Sequence, residues 1–441
     1  MLPKKLSKDI ASYYKTSFAK KRFIVGVSPV PVSGKVFDEH ELSLGVEAVL
    51  DGWWTEGHFA EEFEREFSKF LGVRYVSLVN SGSSANLVAL TALTSPVFGD
   101  RSLTPGDEVI TVATGFPTTI NPIFQNKLTA VVIDNDLVTK NARASDIRKA
   151  LTKKTKAIMM AHTLGNPMEL EEIMSIVRER NLWFIEDCCD ALGSTYKEKL
   201  CGTFGHIATF SFYPAHQITM GEGGAIVTNN PLLHKAIRQF RDWGRDCWCD
   251  TGKDDTCRRR FAWQMGELPF GYDHKYIYSQ IGYNLKLTDM QAALGLAQLK
   301  KLRGFIKRRR ENFARLHAFF EKYEEYFILP ESLPEANPSW FGFPIVVRPD
   351  APFTKLDLVQ YLEANKIATR SIFGGNLVRH PAYLGRNDMR VVGKLKNSDT
   401  LMTDGFWIGL YPGITKQMLD FVGDSIVSFI LRQAKSSTHS G

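Results

Sequence analysis

Residues 207–230 read IATFSFYPAHQITMGEGGAIVTNN, two short apolar runs joined by a loop that holds a histidine and a glycine-rich turn. Both runs have the length and the aromatic and β-branched content of buried strands. The first strand is expected to end at Ser211, and His216 follows five residues later. The segment therefore predicts a strand, a polar loop centred on His216 and a second strand.

Further strand-like runs precede this segment and alternate with stretches of helical periodicity. Seven strands are predicted in all, VSLVN (76–80), EVITVAT (108–114), AVVIDND (130–136), AIMMAHT (157–163), WFIEDCC (183–189), IATFSFY (207–213) and GAIVTNN (224–230). Strands separated by helical crossovers form parallel sheets that are covered on both faces. We therefore predict an α/β fold with a seven-stranded, mostly parallel sheet.

The sequence beyond this sheet predicts a second, smaller α+β domain. The periodic stretch 288–327 reads as one long or kinked linking helix, with Thr288 as its N-cap. The predicted divisions are an N-terminal segment (1–45), a large domain (46–287), the linking helix (288–327), the small domain (328–434) and a disordered tail (435–441).

The charge composition of the chain indicates which class of molecule it binds. The formal net charge is +7, from 55 basic and 48 acidic residues spread along the chain, which suits an anionic small molecule better than nucleic acid. No apolar run is long enough for a signal peptide or a membrane span, so a cytoplasmic protein is expected. The densest basic run, 307–310, lies in a predicted helix and is expected to form a solvated face.

Two motifs indicate an anionic, ring-bearing ligand. NSGSSAN (80–86) places free amides and hydroxyls at a predicted helix start, where a phosphate binds well, although a simply capped helix would have the same pattern. Asp187 closes an apolar strand, so it is expected at the ligand-binding edge and needs a cationic partner such as a protonated pyridine nitrogen. The alternative for Asp187 is a helix cap.

The six cysteines cluster at 188–201 and 247–257. Disulfides are disfavoured in a reducing compartment, so the clustering indicates a metal or redox role. Four thiolates bind either an iron-sulfur cluster or tetrahedral zinc, and ligand type alone leaves both open. Cys188 and Cys201 are expected to be small buried residues.

The segment TFSFYPAHQITMGEGGAIVTN (209–229) resembles the sugar aminotransferase family, which has the aspartate aminotransferase fold. Members of that family carry a cofactor-binding lysine where this chain has His216, and no lysine occurs between Lys199 and Lys235. A lysine-to-histidine change resembles the sugar 3-dehydrases of the family. The resemblance implies pyridoxamine 5'-phosphate (PMP) bound without a covalent link, with His216 as the general base of a dehydration.

The same resemblance implies roles for further residues. Cofactor contacts are expected from Ser83, Ser84, Phe116, Asp187, Asp190, Ser211 and Asn284. Asn284 matches a residue that reaches the phosphate of the neighbouring subunit, which implies a homodimer. By residue type, His274, Arg370, Asn376 and Arg379 are candidates for contacts to a sugar diphosphate.

Cys189, Cys247, Cys249 and Cys257 are separated by 57, one and seven residues, which resembles the 2Fe-2S ligand pattern of the iron-sulfur branch of these dehydrases. That branch acts on CDP-4-keto-6-deoxy-D-glucose in the biosynthesis of 3,6-dideoxyhexoses for the O-antigen of lipopolysaccharide. It implies electrons from a separate NAD(P)H-dependent flavin and iron-sulfur reductase. The alternatives are a pyridoxal phosphate (PLP) dependent sugar aminotransferase, a cluster-free GDP-sugar 3-dehydratase, and a catalytically inactive, zinc-binding regulator.

Overall fold

A computed structural model describes residues 2–19, 21–249 and 251–437 of the chain. In these ranges the chain forms twelve α-helices: α1 Lys4–Ser17, α2 Glu39–Leu50, α3 His58–Leu71, α4 Gly82–Ala92, α5 Pro117–Gln125, α6 Ala144–Ala150, α7 Leu170–Glu179, α8 Pro231–Arg241, α9 Asp289–Phe320, α10 Lys355–Ala364, α11 Lys396–Thr403 and α12 Lys416–Ser437. No helix in these ranges combines the length and the apolar character that crossing a bilayer demands.

The same ranges contain fifteen strands: β1 Tyr75–Val79, β2 Glu108–Val112, β3 Thr129–Ile133, β4 Thr155–Ala161, β5 Trp183–Asp187, β6 Thr195–Tyr196, β7 Lys199–Leu200, β8 Ile207–Ser211, β9 Gly224–Thr228, β10 Phe327–Ile328, β11 Ala336–Asn337, β12 Gly342–Val347, β13 Thr369–Ser371, β14 Met389–Val391 and β15 Gly405–Gly409. The large sheet has the order β1-β9-β8-β5-β4-β2-β3-β14. β9 runs antiparallel to both of its neighbours, β1 and β8, and all other pairings in the sheet are parallel.

The predicted α/β fold is confirmed, and all seven predicted strands lie in the large sheet. The sheet also has an eighth strand, β14, which comes from the far end of the chain and pairs with β3. Every residue of β2, β5, β8 and β9 is buried, because two apolar clusters cover the two faces of the sheet. This burial explains why the strands read as continuous apolar runs.

Helix α9 connects the large sheet to the smaller one. It begins after Thr288, as predicted, and the N–H of Thr288 donates to Gln291 Oε1 at 2.7 Å. A four-stranded antiparallel sheet, β10-β12-β15-β13, follows and packs with α10 and α12 around a third apolar cluster. A mixed α and β composition in this part of the chain agrees with the predicted small domain, whose boundaries stay predictions.

Two further regions are the C-terminal end of the chain and the basic run at 307–310. The last helix extends to Ser437, and residues 438–441 of the predicted tail lie outside the described residues. The expected solvated face at 307–310 is wrong for Arg309, whose side chain is fully buried. Lys307 and Arg308 do face solvent.

Candidate active site

A cavity of about 620 Å³ lies at the carboxyl ends of the parallel strands, between the large sheet and the small antiparallel sheet. Such an edge is the usual place for ligands in α/β folds. Eight of the predicted site residues line the cavity: Ser83, Phe116, Asp187, Cys189, Asp190, Ser211, His216 and Arg370. The sequence motifs therefore converge on one site although they span most of the chain.

Asp187 forms the floor of this cavity at the end of β5. It is 3% exposed, and its Oδ2 accepts hydrogen bonds from Asn86 Nδ2 at 2.8 Å and from Thr119 Oγ1 at 2.7 Å. Its other oxygen, Oδ1, accepts from the N–H of Cys189 at 3.1 Å. These donors fix the carboxylate in an orientation that suits a protonated ring nitrogen.

An anion cradle lies at the start of α4. Ser81 caps the helix and accepts from the N–H of Ser84 at 3.1 Å, while the Ser83 hydroxyl donates to Thr118 Oγ1 at 3.1 Å. A Cβ at Gly82 would overlap Ser211, so only glycine allows this close approach. Free amides at a helix start together with hydroxyls fit a phosphate.

Ser84 supports this cradle without lining the cavity. Its hydroxyl accepts a hydrogen bond from Ser81 Oγ at 3.0 Å. Residues 81–83 of the turn line the cavity.

His216 lies in the loop between β8 and β9, in the cavity wall. Its Nε2 is 3.4 Å from Asp190 Oδ1, and its ring packs against Phe341 with ring centroids 5.3 Å apart. Burial raises the pKa of the Asp190 carboxyl, and the neighbouring His216 and Arg309 oppose part of that rise. No lysine is found among the described residues that line the cavity, so a covalent link to a pyridoxal aldehyde has no amine to form it.

Aromatic side chains form the outer walls. Phe116 is 49% exposed and faces Phe373 across 6.4 Å between ring centroids, and Tyr213, Phe341 and Trp407 add further apolar surface. The ring of Phe116 is open to stack on a planar ligand. Sequence reasoning missed the other four aromatic residues, three of which come from the small domain and its entry.

The cysteines fall into two groups. Cys249 lies between Cys247 and Cys257: burial raises the pKa of the Cys249 thiol, but hydrogen bonds from Thr256 and from both neighbouring thiols outweigh burial and lower it. Cys189 instead faces the cavity, where burial and then the Asp187 carboxylate raise its pKa well above the usual value. Three of the four predicted ligands thus converge on one loop, and no contact in the described residues joins them to Cys189.

The donor set on this loop fits a metal that prefers sulfur. In residues 2–19, 21–249 and 251–437, a single group of three potential ligands has its donor atoms all within 4.8 Å of one another, and it is His162, Glu186 and Cys188 rather than the three loop cysteines. Glu186 already accepts hydrogen bonds from the N–H groups of Gly202, Phe204 and Gly205. We therefore interpret the three residues as a structural cluster that holds this turn in place, rather than as a metal centre. Cys188 and Cys201 are buried, as predicted.

His274 lies beneath the cysteine loop instead of in the cavity. It is fully buried, with Nδ1 3.8 Å from Cys257 Sγ and Nε2 3.0 Å from Asp246 Oδ2, and it stacks on Trp263. These contacts make it a support for the loop in this chain. His274 is not among the described residues that line the cavity, so its predicted role in substrate binding has no support from its position.

Three other predicted residues also lie outside the cavity lining. Asn284 pairs with the backbone of Asp242 and accepts from Lys286 Nζ at 2.9 Å. Asn376 and Arg379 both donate to Asp399, at 2.7 Å and 2.8 Å. Of the four residues proposed for the sugar diphosphate, Arg370 alone lines the cavity, and the role of each stays a prediction.

Comparison of the chain with known proteins identifies one family. The model of the DegT/DnrJ/EryC1/StrS aminotransferase family matches residues 37–427. The chain is 53% identical over 428 residues to the lipopolysaccharide biosynthesis protein RfbH of Salmonella typhimurium, covering 97% of this chain and 98% of that protein.

Two further relatives are named as dehydratases. The chain is 51% identical over 415 residues to the dTDP-4-dehydro-2,6-dideoxy-D-glucose 3-dehydratase of Saccharopolyspora spinosa, covering 94% of this chain and 89% of that one. Among solved structures, the E. coli GDP-4-keto-6-deoxy-D-mannose-3-dehydratase with bound hydrated PLP superimposes with a TM-score of 0.80 at 29% identity, over 90% of this chain and 99% of that one.

Proposed function

The chain belongs to the DegT/DnrJ/EryC1/StrS aminotransferase family, and we propose that it is a 3-dehydratase acting on a nucleotide-linked 4-keto-6-deoxy sugar. The observation that carries the proposal is His216 in the cavity wall, paired with Asp190, where no described lining residue is a lysine. A histidine moves protons but forms no stable link with a pyridoxal aldehyde, so dehydration replaces amine exchange.

PMP is the proposed cofactor, and the cavity residues fit it. When bound, it supplies an amine that condenses with the sugar ketone and a ring that accepts electrons. Asp187 would pair with the ring nitrogen, Phe116 would stack on the ring, and the turn at Ser81–Ser83 with Ser211 would hold the phosphate. His216 would remove a proton from the cofactor's methylene carbon and return it to the leaving hydroxyl.

A 2Fe-2S cluster held by Cys189, Cys247, Cys249 and Cys257 is the second part of the proposal. It is supported by the spacing of the four cysteines and by the convergence of three of them on one loop. Cys189 and Asp187 both line the cavity, so a cluster bonded to Cys189 would neighbour the cofactor. Loss of the C3 hydroxyl followed by replacement with hydrogen needs two electrons and two protons, and one-electron steps from a separate NAD(P)H-dependent reductase would supply the electrons.

We propose CDP-4-keto-6-deoxy-D-glucose as substrate, with the protein acting as a homodimer in the cytoplasm on the route to a 3,6-dideoxyhexose. The similarity to a relative named as acting on a dTDP-linked sugar makes a dTDP sugar the second candidate. Both share the 4-keto group that must condense with the cofactor amine. Comparing the two nucleotides at equal concentration separates the candidates through kcat/KM.

Product analysis tests the reaction class. The wild-type protein with PMP, the CDP-linked keto sugar and a chemical reductant is expected to give a 3-deoxy sugar and no 4-amino sugar, because no described residue that lines the cavity is a lysine that could regenerate the aldehyde form. His216→Asn is expected to abolish 3-deoxy product while PMP still binds. Formation of a 4-amino sugar by the wild type from an amino acid donor would overturn the proposal.

A further inference from the structure

Arg309 of α9 is fully buried and reaches the loop that carries the general base. Its Nη2 donates to the carbonyl oxygens of Ala215 at 3.3 Å and His216 at 3.1 Å. Its Nη1 donates to the carbonyl oxygens of Trp340 at 3.1 Å and Phe341 at 3.0 Å. One guanidinium thus joins two segments that are far apart in the sequence.

Both segments contribute side chains to the proton-transfer site. His216 and Phe341 line the same cavity, and their rings pack together with centroids 5.3 Å apart. A planar guanidinium presents its N–H groups in a rigid fork, which a flexible ammonium cannot reproduce. The clamp therefore fixes the backbone beneath the base and beneath the ring that packs on it at the same time.

The position is electrostatically costly. Burial lowers the pKa of Arg309 to about 10, the Asp190 charge opposes that fall, and the side chain stays cationic near neutral pH. Its partners are four neutral carbonyls, and Nε has no partner in the described residues. A buried cation of this kind adds little to the stability of the fold. Its presence is better explained by the fixed positions that it gives to the backbone carbonyl groups of the two segments.

We propose that Arg309 is a positioning residue for His216, holding the backbone of the base and of its packing partner so that the imidazole meets the proton it removes. The inference rests on the proposed dehydration. It assigns no contact between Arg309 and the substrate, and its effect passes through the loop.

Arg310 offers a matched control on the same helix. Its Nε donates to Pro338 O at 3.1 Å, and its Nη2 donates to Asn337 O at 2.9 Å and to Gly193 O at 3.2 Å. It too joins α9 to the entry of the small domain through carbonyl groups. Its hydrogen bonds in the described residues do not include the His216 loop.

The test measures proton removal by itself. Each variant, Arg309→Lys, Arg309→Gln and Arg310→Lys, is loaded with PMP and given the keto sugar in D2O without reductant. NMR then follows exchange of the cofactor's methylene hydrogen. PMP affinity is measured by fluorescence titration, and rates are expressed per bound PMP, so that partly folded material is not counted.

Arg309→Lys is expected to slow exchange by roughly 10- to 100-fold, since small misplacements of a catalytic group have effects of that size. PMP affinity should stay within about threefold, and Arg310→Lys should exchange within about twofold of the wild type. A merely structural Arg309 predicts lost PMP affinity with normal exchange per bound cofactor.

Equal exchange rates in Arg309→Lys and Arg310→Lys would overturn the inference, as would normal exchange in Arg309→Gln. Absence of exchange in the wild type would instead contradict the proposed function. The two failures are therefore distinguishable.

Discussion

Asp190 is a buried carboxylate that pairs with His216, and its burial lowers the stability of the folded protein. Its Oδ2 has no hydrogen-bond partner in the described residues, and burial raises its pKa. An acid with a raised pKa in the folded state destabilises that state once the pH exceeds its unfolded pKa, near 3.9. Asp190 therefore lowers stability while its carboxylate holds the His216 ring in place.

Asp190→Asn is expected to raise the apparent melting temperature at pH 8 by a few degrees, because the buried charge is gone. The advantage should shrink as the pH falls below the raised pKa of Asp190 toward about 4, where the wild-type carboxyl is protonated too. Proton removal by His216 should slow by roughly 10- to 100-fold. Melting scans from pH 4 to 8 and the D2O exchange assay check both effects.

A variant that is less stable than the wild type at pH 8 and equally fast in exchange would contradict this account of Asp190. His206→Gln serves as the control, since His206 is a partly buried histidine that lies outside the cavity lining. It should leave the exchange rate unchanged.

Single residues were predictable where chemistry fixes their type. A carboxylate at the end of β5 and a histidine in a lysine position are visible in the sequence, and both line the cavity. Asn86 and Thr119, which orient Asp187, were missed, although Asn86 lies in the quoted motif NSGSSAN, because their role depends on tertiary distance. Arg309 was missed because a run of basic residues reads as a solvated face when its helix is taken alone.

At the scale of elements, the start of α4 can hold the proposed phosphate only if the chain approaches β8 closely. Gly82→Ala would place a methyl group against Ser211 and 3.0 Å from Cys189 Sγ. We expect PMP affinity to fall by at least about tenfold, measured by fluorescence titration. The matched control is Gly304→Ala in α9, where a Cβ meets nothing within 4 Å.

Gly304→Ala should keep the PMP affinity of the wild type and gain about 0.5–1 kcal/mol in stability from helix propensity. Equal PMP affinity in the Gly82 and Gly304 variants would show that the turn is not the phosphate site.

The cysteine loop is the element that decides the redox proposal. Serine at Cys189, Cys247, Cys249 or Cys257, one at a time, is expected to lower bound iron and sulfide and to bleach the visible absorption of anaerobically purified protein. Cys201→Ser should keep the full spectrum, because Cys201 is buried outside the loop. Zinc in place of iron and sulfide in the wild type would contradict the cluster.

Elements were predictable where periodicity is strong. Seven strands agree with the sequence pattern because burial on both sheet faces leaves long apolar runs. The N-cap of α9 at Thr288 agrees with it because Thr288 and Gln291 form a capping box. The eighth strand, β14, was missed because three residues without a fully buried residue carry no strand signal. Its pairing with β3 is a tertiary contact.

For the whole molecule, we propose that Asn284 lies at the active site of a partner subunit. In its own chain Asn284 lies outside the cavity lining. Co-expressed His216→Asn and Asn284→Ala chains should then form hybrid dimers in which one of two sites is intact. Each variant alone should be weak, and with random pairing the mixture is expected to reach about a quarter of wild-type turnover. No recovery of turnover in the mixture would mean that Asn284 acts in the active site of its own chain or in none.

The cavity is formed by residues from distant parts of the chain, so its complete lining could not be predicted from the sequence. Phe341, Arg370, Phe373 and Trp407 enter it from the part of the chain that follows α9. No local pattern marks them as neighbours of Asp187, since only the packing of the two sheets brings them together. The strand-end motifs were predictable, and on the opposite wall Arg370 alone was predicted, from its residue type.

The most direct test of the central claim is entry of 18O from water at C3 of the sugar. Protein with PMP and the nucleotide-linked keto sugar is incubated in H2 18O without a reductant, and the 13C isotope shift at C3 is followed by NMR. That position distinguishes dehydration from simple hydration of the ketone. Reversible loss of the C3 hydroxyl through His216 predicts label at C3 with the wild type and none with His216→Asn, whereas no label at C3 with the wild type, or equal label in both, would contradict it.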